Sequence, residues 1–420
     1  MNRIAFIGLG YIGLPTAVAM AQSGSEVVGV DVSREKIEQI NNGRSPIVEN
    51  GLEQALREVL SKGVFEATSE PPAADAFVVA VPTPFQSNHE VDMSFILSAA
   101  ESIAPKLQPG NLVILESTSP PGTTRKMAEH VMKLRPDLQV DNDTDPSDPT
   151  KTIYFAHCPE RILPGNALEE LRTNDRIIGG MSKQATTLAT EVYRTFCEGE
   201  LLATNDVTAE MAKLTENSFR DVNIAFANEL SVICDGLGIN VWELINLANH
   251  HPRVNILEPG PGVGGHCIAV DPWFIVSADR ENSTLIRTAR EVNDSKPEWV
   301  LKKVKESVTL NDTKIGVLGL AFKADIDDLR ESPSLKIARE IVESFPNNQV
   351  LIVEPNIEQL PQELANFDNV LLMPLDEVLQ ECETIALLVD HSEFKAIPSE
   401  KVTSKHLIDS KGIWTGKQAG

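Results

Sequence analysis

The sequence predicts an α/β chain with a parallel-sheet domain at each end and an all-helical domain between them. Three observations lead there. Short β-branched runs alternate with helical stretches from Arg3 to about Thr204, the alternation returns from Lys314, and the region between has helical periodicity only. Strands alternating with helices of roughly 10–15 residues imply a parallel sheet covered on both faces. The expected domains are residues 1–204, 205–309 and 310–420.

In the first region "RIAFIG", "EVVGVD", "AFVVAVP", "NLVILES" and "TIYFAH" each end at a turn or polar cluster. "DNDTDPSDPT" (Asp141 to Thr150) interrupts them with acids and prolines and reads as an exposed loop inside the domain. After Asn205, "VTAEMAKLTENSFRDVNIAFANELSVICDGLG" holds neither Gly nor Pro before Gly236, which predicts a helix of about thirty residues. Further helices are expected from Asn240 ("NVWELINLANHH") and near "STLIRTAREVNDSKPEWVLKKVKESV". From Lys314, "KIGVLGLAF", "QVLIVEP", "TIALLVD" and "HLIDS" look like a weakened second copy of the first domain, with Glu354 ending a strand as Asp31 does. Two α/β domains joined by a helical spine would leave a cleft, a common place for ligands. The tail "GKQAG" is expected to fray.

The 61 acidic residues against 37 basic ones give a net charge of −24. That argues against nucleic acid or an anionic membrane as partner, though not against a small anion in a pocket. "MNRIAFIGLGYIG" does not read as a secretory signal, and no apolar run approaches the roughly 18–20 residues of a membrane span. Five cysteines without paired spacing read as reduced thiols of a cytoplasmic protein.

Gly8, Gly10 and Gly13 in "IAFIGLGYIGLP" form G-x-G-x-x-G between a strand and a helical stretch, the context of a dinucleotide-binding Rossmann domain. The first glycine permits the turn, the second admits the pyrophosphate, and the third lets helix and strand pack closely. Asp31 would bind the ribose hydroxyls and repel a 2′-phosphate, so NAD is expected over NADP, with Arg34 and Lys36 nearby. Thr83 and Thr118 stand at the C-terminal ends of two strands, the edge where ligands bind in such sheets.

"GPGVGGHC" (Gly260 to Cys267) brings glycines up to a thiol, and they would let a substrate approach closely. Cys158, Cys197, Cys234 and Cys382 read as small buried hydrophobes. Lys213 and Asn217 share a face of the long helix, flanked by Leu214 and Phe219 in a stretch that looks buried. A dehydrogenase with a reactive thiol can oxidise an alcohol twice: an aldehyde forms, the thiolate adds, a second hydride leaves, and water releases a carboxylate from the thioester. A lysine would stabilise the oxyanions and a carboxylate would activate the water.

Taken together, "GLGYIGLP", "VPTP", "ESTSPPG", "CPER", "KLTENSFRDVN", "GPGVGGHC" and "GLAFKADIDDLRESPS" resemble the UDP-sugar 6-dehydrogenase family over nearly the whole chain. "NSFRDVNIAFANEL" and "HPRVNILEPGPGVGGHCIAVDPWF" are most similar to the branch acting on UDP-N-acetyl-D-mannosamine. The resemblance implies a C-terminal Rossmann-like UDP-sugar-binding domain, a homodimer through the central helix, two NAD per turnover and a product used in surface polysaccharide. It implies Cys267 as nucleophile, Lys213 and Asn217 at the oxyanion, Asp271 and Thr118 holding water, and Glu160 as base. It places Gly8, Gly10, Tyr11, Ile12, Gly13, Asp31, Lys36, Thr83, Thr118 and Arg330 around NAD. Around the UDP-sugar it places Glu160, Arg161, Ile162, Leu163, Lys213, Asn217, Arg220, Arg253, Gly264 and Lys323, with Arg253 reaching from a neighbouring subunit.

Pro164 and Val270 stand where the UDP-glucose branch tends to carry glutamate and lysine, as the acetamido-sugar branch would have it. His266 reads as a positional residue, and His250 and His251 as surface residues. The alternatives are the same chemistry on UDP-N-acetylglucosamine or UDP-glucose, a two-electron hydroxyacid-type dehydrogenase with a structural Cys267, and a nucleotide-sensing module without turnover.

Overall fold

All five quoted N-terminal runs form strands in the computed structural model, which describes residues 3–84, 90–143, 148–162, 165–265, 267–310 and 312–414. The strands are β1 (Arg3–Ile7), β2 (Glu26–Val30), β3 (Phe65–Thr68), β4 (Ala76–Val79), β5 (Leu112–Leu115), β6 (Gln139–Val140), β7 (Thr152–His157), β8 (Arg176–Gly180) and β9 (Leu201–Asn205). Their order is β3-β2-β1-β4-β5-β7-β8-β9, with β6 beside β7. Ile4 and Phe6 pack into the core on one face of the sheet, Ala5 and Ile7 into the core on the other, as the two-residue strand period requires.

The wholly parallel sheet expected here needs one correction: β7 and β8 run antiparallel, with Ala156 opposite Gly180 and His157 opposite Gly179. Strands β3, β6, β8 and β9 are not among the runs read from the sequence: β6 is only two residues long, "FEAT" and "LLATN" hold a single β-branched threonine each, and "RIIGG" ends in two glycines. In "DNDTDPSDPT" residues 144–147 lie outside the described residues. Asp141 accepts from Ser182 Oγ and Asp143 from the Lys183 N–H, so the loop helps cap the helix Lys183–Arg194.

The C-terminal sheet holds β10 (Lys314–Leu318), β11 (Gln349–Val353), β12 (Val370–Leu372), β13 (Thr384–Leu387) and β14 (His406–Asp409), in the order β12-β11-β10-β13-β14. The short β12 is the strand the sequence did not announce. The long helix spans Asp206–Leu237, and helices follow at Val241–Asn249, Asp271–Ala278 and Thr284–Ser307. The tail from Gly416 lies outside the described residues.

The chain divides into two units, Met1–Glu216 with Trp273–Arg280, and Asn217–Pro272 with Glu281–Gly420. Among the described residues no helix is long and apolar enough to cross a membrane.

Candidate functional site

In the first unit the register levels three strand ends. Ile7 lies opposite both Val30 and Val79, so Gly8, Asp31 and Ala80 leave the sheet together. Gly8 has φ +96°, and a Cβ there would meet Ala80 O at 2.4 Å. A Cβ on Gly13 would lie 1.9 Å from Gly8 O, so only glycine lets the helix Gly13–Gln22 start this close to the turn. At Gly10 a Cβ would enter open space, the room a pyrophosphate needs against the backbone. No side chain caps this helix N-terminus and its first turn holds no acid, which leaves its positive end for an anion.

Asp31 Oδ2 accepts the Leu9 N–H at 3.1 Å and Oδ1 accepts the Ser33 N–H at 2.9 Å. Lys36 Nζ is 4.0 Å from Asp31 Oδ2, within reach of the ribose side of the carboxylate. Thr83 Oγ1 donates to Thr118 O at 2.7 Å, so these two strand-end residues do come together. Tyr11 OH donates to Glu49, whose carboxylate also accepts the N–H groups of Gly165 and Ala167. Glu49 thereby ties the nucleotide turn to the segment that follows Ile162.

Glu160 is buried in a charge cluster. Its Oε1 accepts the Arg161 N–H at 2.6 Å and its Oε2 pairs with Arg176 at 3.0 Å. Arg176 also lies 3.6 Å from Glu116 and faces the rings of Tyr193 and Phe196. Burial first, then the charge of Glu160, pushes the Glu116 carboxyl well above the usual carboxylate range, and Arg176 stands closer to Glu160 than to Glu116. Arg161 pairs with Glu216 at 2.9 Å. Glu210 accepts from the Gly122 and Thr124 N–H groups, so the helix after "SPPG" is capped by the long helix, one turn before half-buried Lys213.

In the second unit Asn217 Nδ2 donates to Asp271 Oδ2 at 2.6 Å, and both residues are buried. Asp271 opens its helix, and its N–H and that of Val270 donate to Cys267 O at 2.9 and 3.0 Å. Cys267 is exposed, whereas Cys158, Cys197, Cys234 and Cys382 are all buried, as expected of core thiols.

Three glycines of the thiol loop are also required by packing. A Cβ at Gly262 would meet Pro333 and Pro297, at Gly264 Glu331 O (2.5 Å) and Pro333, and at Gly265 the Phe322 ring. On the Cβ side of these three glycines the space is filled by protein. That packing sets the loop against the segment bearing Lys323 and Arg330, both exposed; Arg330 makes a forked pair with Asp328.

Phe219, expected in a buried stretch, is 69% exposed, because it lies on the opposite face of the long helix from Asn217 and Asp221. Arg220, Arg253, His250 and His251 are exposed and Ile162 is half-buried. Leu163, Pro164 and His266 lie outside the described residues. Glu49, Glu116, Arg176, Glu210 and Glu216 were missed: each is one carboxylate or guanidinium whose partner is far off in sequence.

Three family models match the chain: the UDP-glucose/GDP-mannose dehydrogenase family NAD binding domain over residues 2–197, its central domain over 207–295 and its UDP binding domain over 316–416. The chain is 52% identical to the UDP-N-acetyl-D-mannosamine dehydrogenase of Escherichia coli K12, covering 98% of this chain and 99% of that one. It is 51% identical to the NDP-N-acetyl-D-galactosaminuronic acid dehydrogenase of Ralstonia nicotianae, covering 99% and 97%. The solved UDP-D-ManNAc dehydrogenase of Pyrococcus horikoshii is similar at 39% identity and a TM-score of 0.84, covering 98% and 96%.

Proposed function

The chain belongs to the UDP-glucose/GDP-mannose dehydrogenase family, and from that premise we propose that it oxidises C6 of UDP-N-acetyl-D-mannosamine to the carboxylate through a covalent bond to Cys267. It is an NAD-dependent oxidoreductase, and NAD, when bound, supplies the hydride acceptor. The observation that carries the thiol chemistry is the geometry around Cys267: one exposed thiol whose carbonyl is held by the Val270 and Asp271 N–H groups, with Asp271 in turn bonded to Asn217.

In this reading the C6 hydroxyl loses a proton and a hydride to become an aldehyde. The Cys267 thiolate then forms a C–S bond at C6, and the ammonium of Lys213 with the amide of Asn217 answers the charge on O6. Loss of a second hydride leaves a thioester. Water attacks it, the C–S bond breaks, and the thiolate leaves as the uronate forms. Asp271 and Thr118 hold that water and Glu160, fixed by Arg176, receives its proton. Arg161, Ile162, Leu163, Arg220, Arg253, Gly264 and Lys323 bind the UDP-sugar, and Arg330 binds NAD.

NADH released per UDP-N-acetyl-D-mannosamine at full conversion tests this. Wild type should release two, and Cys267→Ser should form no uronate at a normal rate; one NADH from both would make the thiol structural. The Ralstonia relative, named for an NDP-N-acetyl-D-galactosaminuronic acid, supports a second reading, the same chemistry on a nucleotide-linked galacto sugar, and higher kcat/KM on such a sugar in the same assay would favour it.

A cytoplasmic homodimer completes the proposal. Phe219, Phe226, Ile233 and Leu237 are 69%, 51%, 49% and 67% exposed along one stripe of the long helix, an apolar face for a second copy to cover. Phe226→Glu should sediment as a monomer; a dimer like wild type would place the interface elsewhere.

A further inference from the structure

Asp221, Asn228, Arg290 and Asn293 form a buried polar chain that the chemistry above leaves unused, each 1% exposed or less. The first two stand on the long helix and the last two on the helix Thr284–Ser307. Arg290 Nη1 donates to Asp221 Oδ1, and Asn293 Nδ2 donates to both Asp221 O (3.0 Å) and Oδ1 (2.8 Å). Asn228 Nδ2 donates to Asn293 Oδ1 at 2.8 Å. Two bonds then leave the chain for the thiol loop. The Gly260 N–H donates to Asn228 Oδ1 at 2.9 Å, and Arg290 Nη1 reaches Ile268 O at 3.5 Å.

Gly260 opens the glycine loop and Ile268 directly follows Cys267. Burying an ion pair and two amides is costly, and apolar side chains of similar volume join two helices as well or better. Apolar side chains could not, however, accept from the Gly260 N–H or donate to the Ile268 carbonyl. A segment rich in glycine also loses the most conformational freedom on ordering, so it needs fixed ends. We infer that Asn228, Asn293 and Arg290 are positioning residues that set the Cys267 thiol by holding the two ends of its loop. The run "NSFRDVNIAFANEL", which carried the branch resemblance, contributes Asp221 and Asn228 to this clamp.

The inference rests on Cys267 as nucleophile, so its test runs beside Cys267→Ser. Asn228→Ala removes the acceptor for Gly260, whereas Asn228→Asp keeps one. Asn293→Ser cuts the chain one link further away and serves if the alanine variant does not fold. Each full-length variant is scored for thermal midpoint, kcat, KM for NAD and for UDP-sugar, and rate of Cys267 alkylation by iodoacetamide, with the four buried cysteines as internal reference.

Misplacing a reacting atom by about 1 Å can cost roughly a hundredfold in rate. Folded Asn228→Ala should therefore lose about tenfold to a hundredfold in kcat, with both KM values near wild type and a changed alkylation rate. Asn228→Asp should recover much of the kcat. Wild-type kcat and alkylation in folded Asn228→Ala and Asn293→Ser, or no advantage of aspartate over alanine, would overturn the clamp. If Cys267→Ser itself turns over normally, the nucleophile reading falls instead, whatever the Asn228 variants do.

Discussion

The turn after β1 and the turn after β10 are built alike and used differently. Both sheets have the same strand order around the first strand, and both chains leave that strand through a positive-φ glycine, Gly8 at +96° and Gly319 at +93°. In both, an acid just past the second strand accepts N–H groups of the turn: Asp31 from Leu9, and Glu354 from Leu320 and Ala321. The carboxylate-to-turn bond is therefore architecture in both halves, not a sign of ligand by itself. What differs is vacancy. Gly10 faces open space and Gly13 starts a helix at once, whereas Ala321 is fully buried and the next helix waits until Pro333. Glu354 is further filled by His391 Nε2–H at 3.1 Å and by the Asn356 N–H, so little of it remains for a ribose.

The largest expected effect separates the two glycine turns. Gly13→Ala would put a Cβ 1.9 Å from Gly8 O, and Gly319→Ala would put one 2.4 Å from Val389 Cβ. The first should cost about a hundredfold or more in NAD affinity, about 2.7 kcal/mol. The second should cost about 1–3 kcal/mol of stability from overpacking and strain, with NAD affinity unchanged. Titration calorimetry and thermal unfolding read the two, and equal losses of NAD affinity would erase the distinction.

A smaller effect separates the two acids. Asp31→Ala should raise KM for NAD roughly tenfold, the worth of a hydrogen bond to a charged group. Glu354→Gln should leave that KM alone and lower the thermal midpoint. Burial raises the Glu354 carboxyl, but the hydrogen bond and charge of His391 and the turn N–H groups outweigh it and hold it below the usual carboxylate value. A depressed folded value stabilises above the unfolded pKa of about 4.3 and is lost as pH falls through the folded value. The gap in midpoint between wild type and Glu354→Gln should thus be full at pH 6 and shrink below about pH 4. A gap that widens on acidification would reverse the assignment.

Local chemistry made much of this legible. Gly8, Gly10 and Gly13 with a strand before them and a helix after them need no distant residue to be read, and the long helix follows from thirty positions of uninterrupted periodicity. The burial of four cysteines follows from residue type. By contrast, Phe219 was misjudged because its neighbours Leu214 and Ser218 are buried while it points to the other side of the helix. The short β3 and β12 offer too few residues to announce a strand, and the direction of β8 depends on its pairing with β7, which no local pattern shows.

The sequence by itself determined most element types, the dinucleotide turn and the placing of one thiol at the end of a glycine loop, because each depends on backbone freedom or periodicity over a few residues. Only the tertiary structure decided that those glycines pack on Phe322, Glu331 and Pro333, that Glu160 is held by Arg176 beside buried Glu116, and that Asn228 and Arg290 reach the loop ends. Such pairings join residues far apart along the chain. A lone asparagine or arginine carries no mark of its partner until folding excludes water and leaves its polar atoms one place to bond.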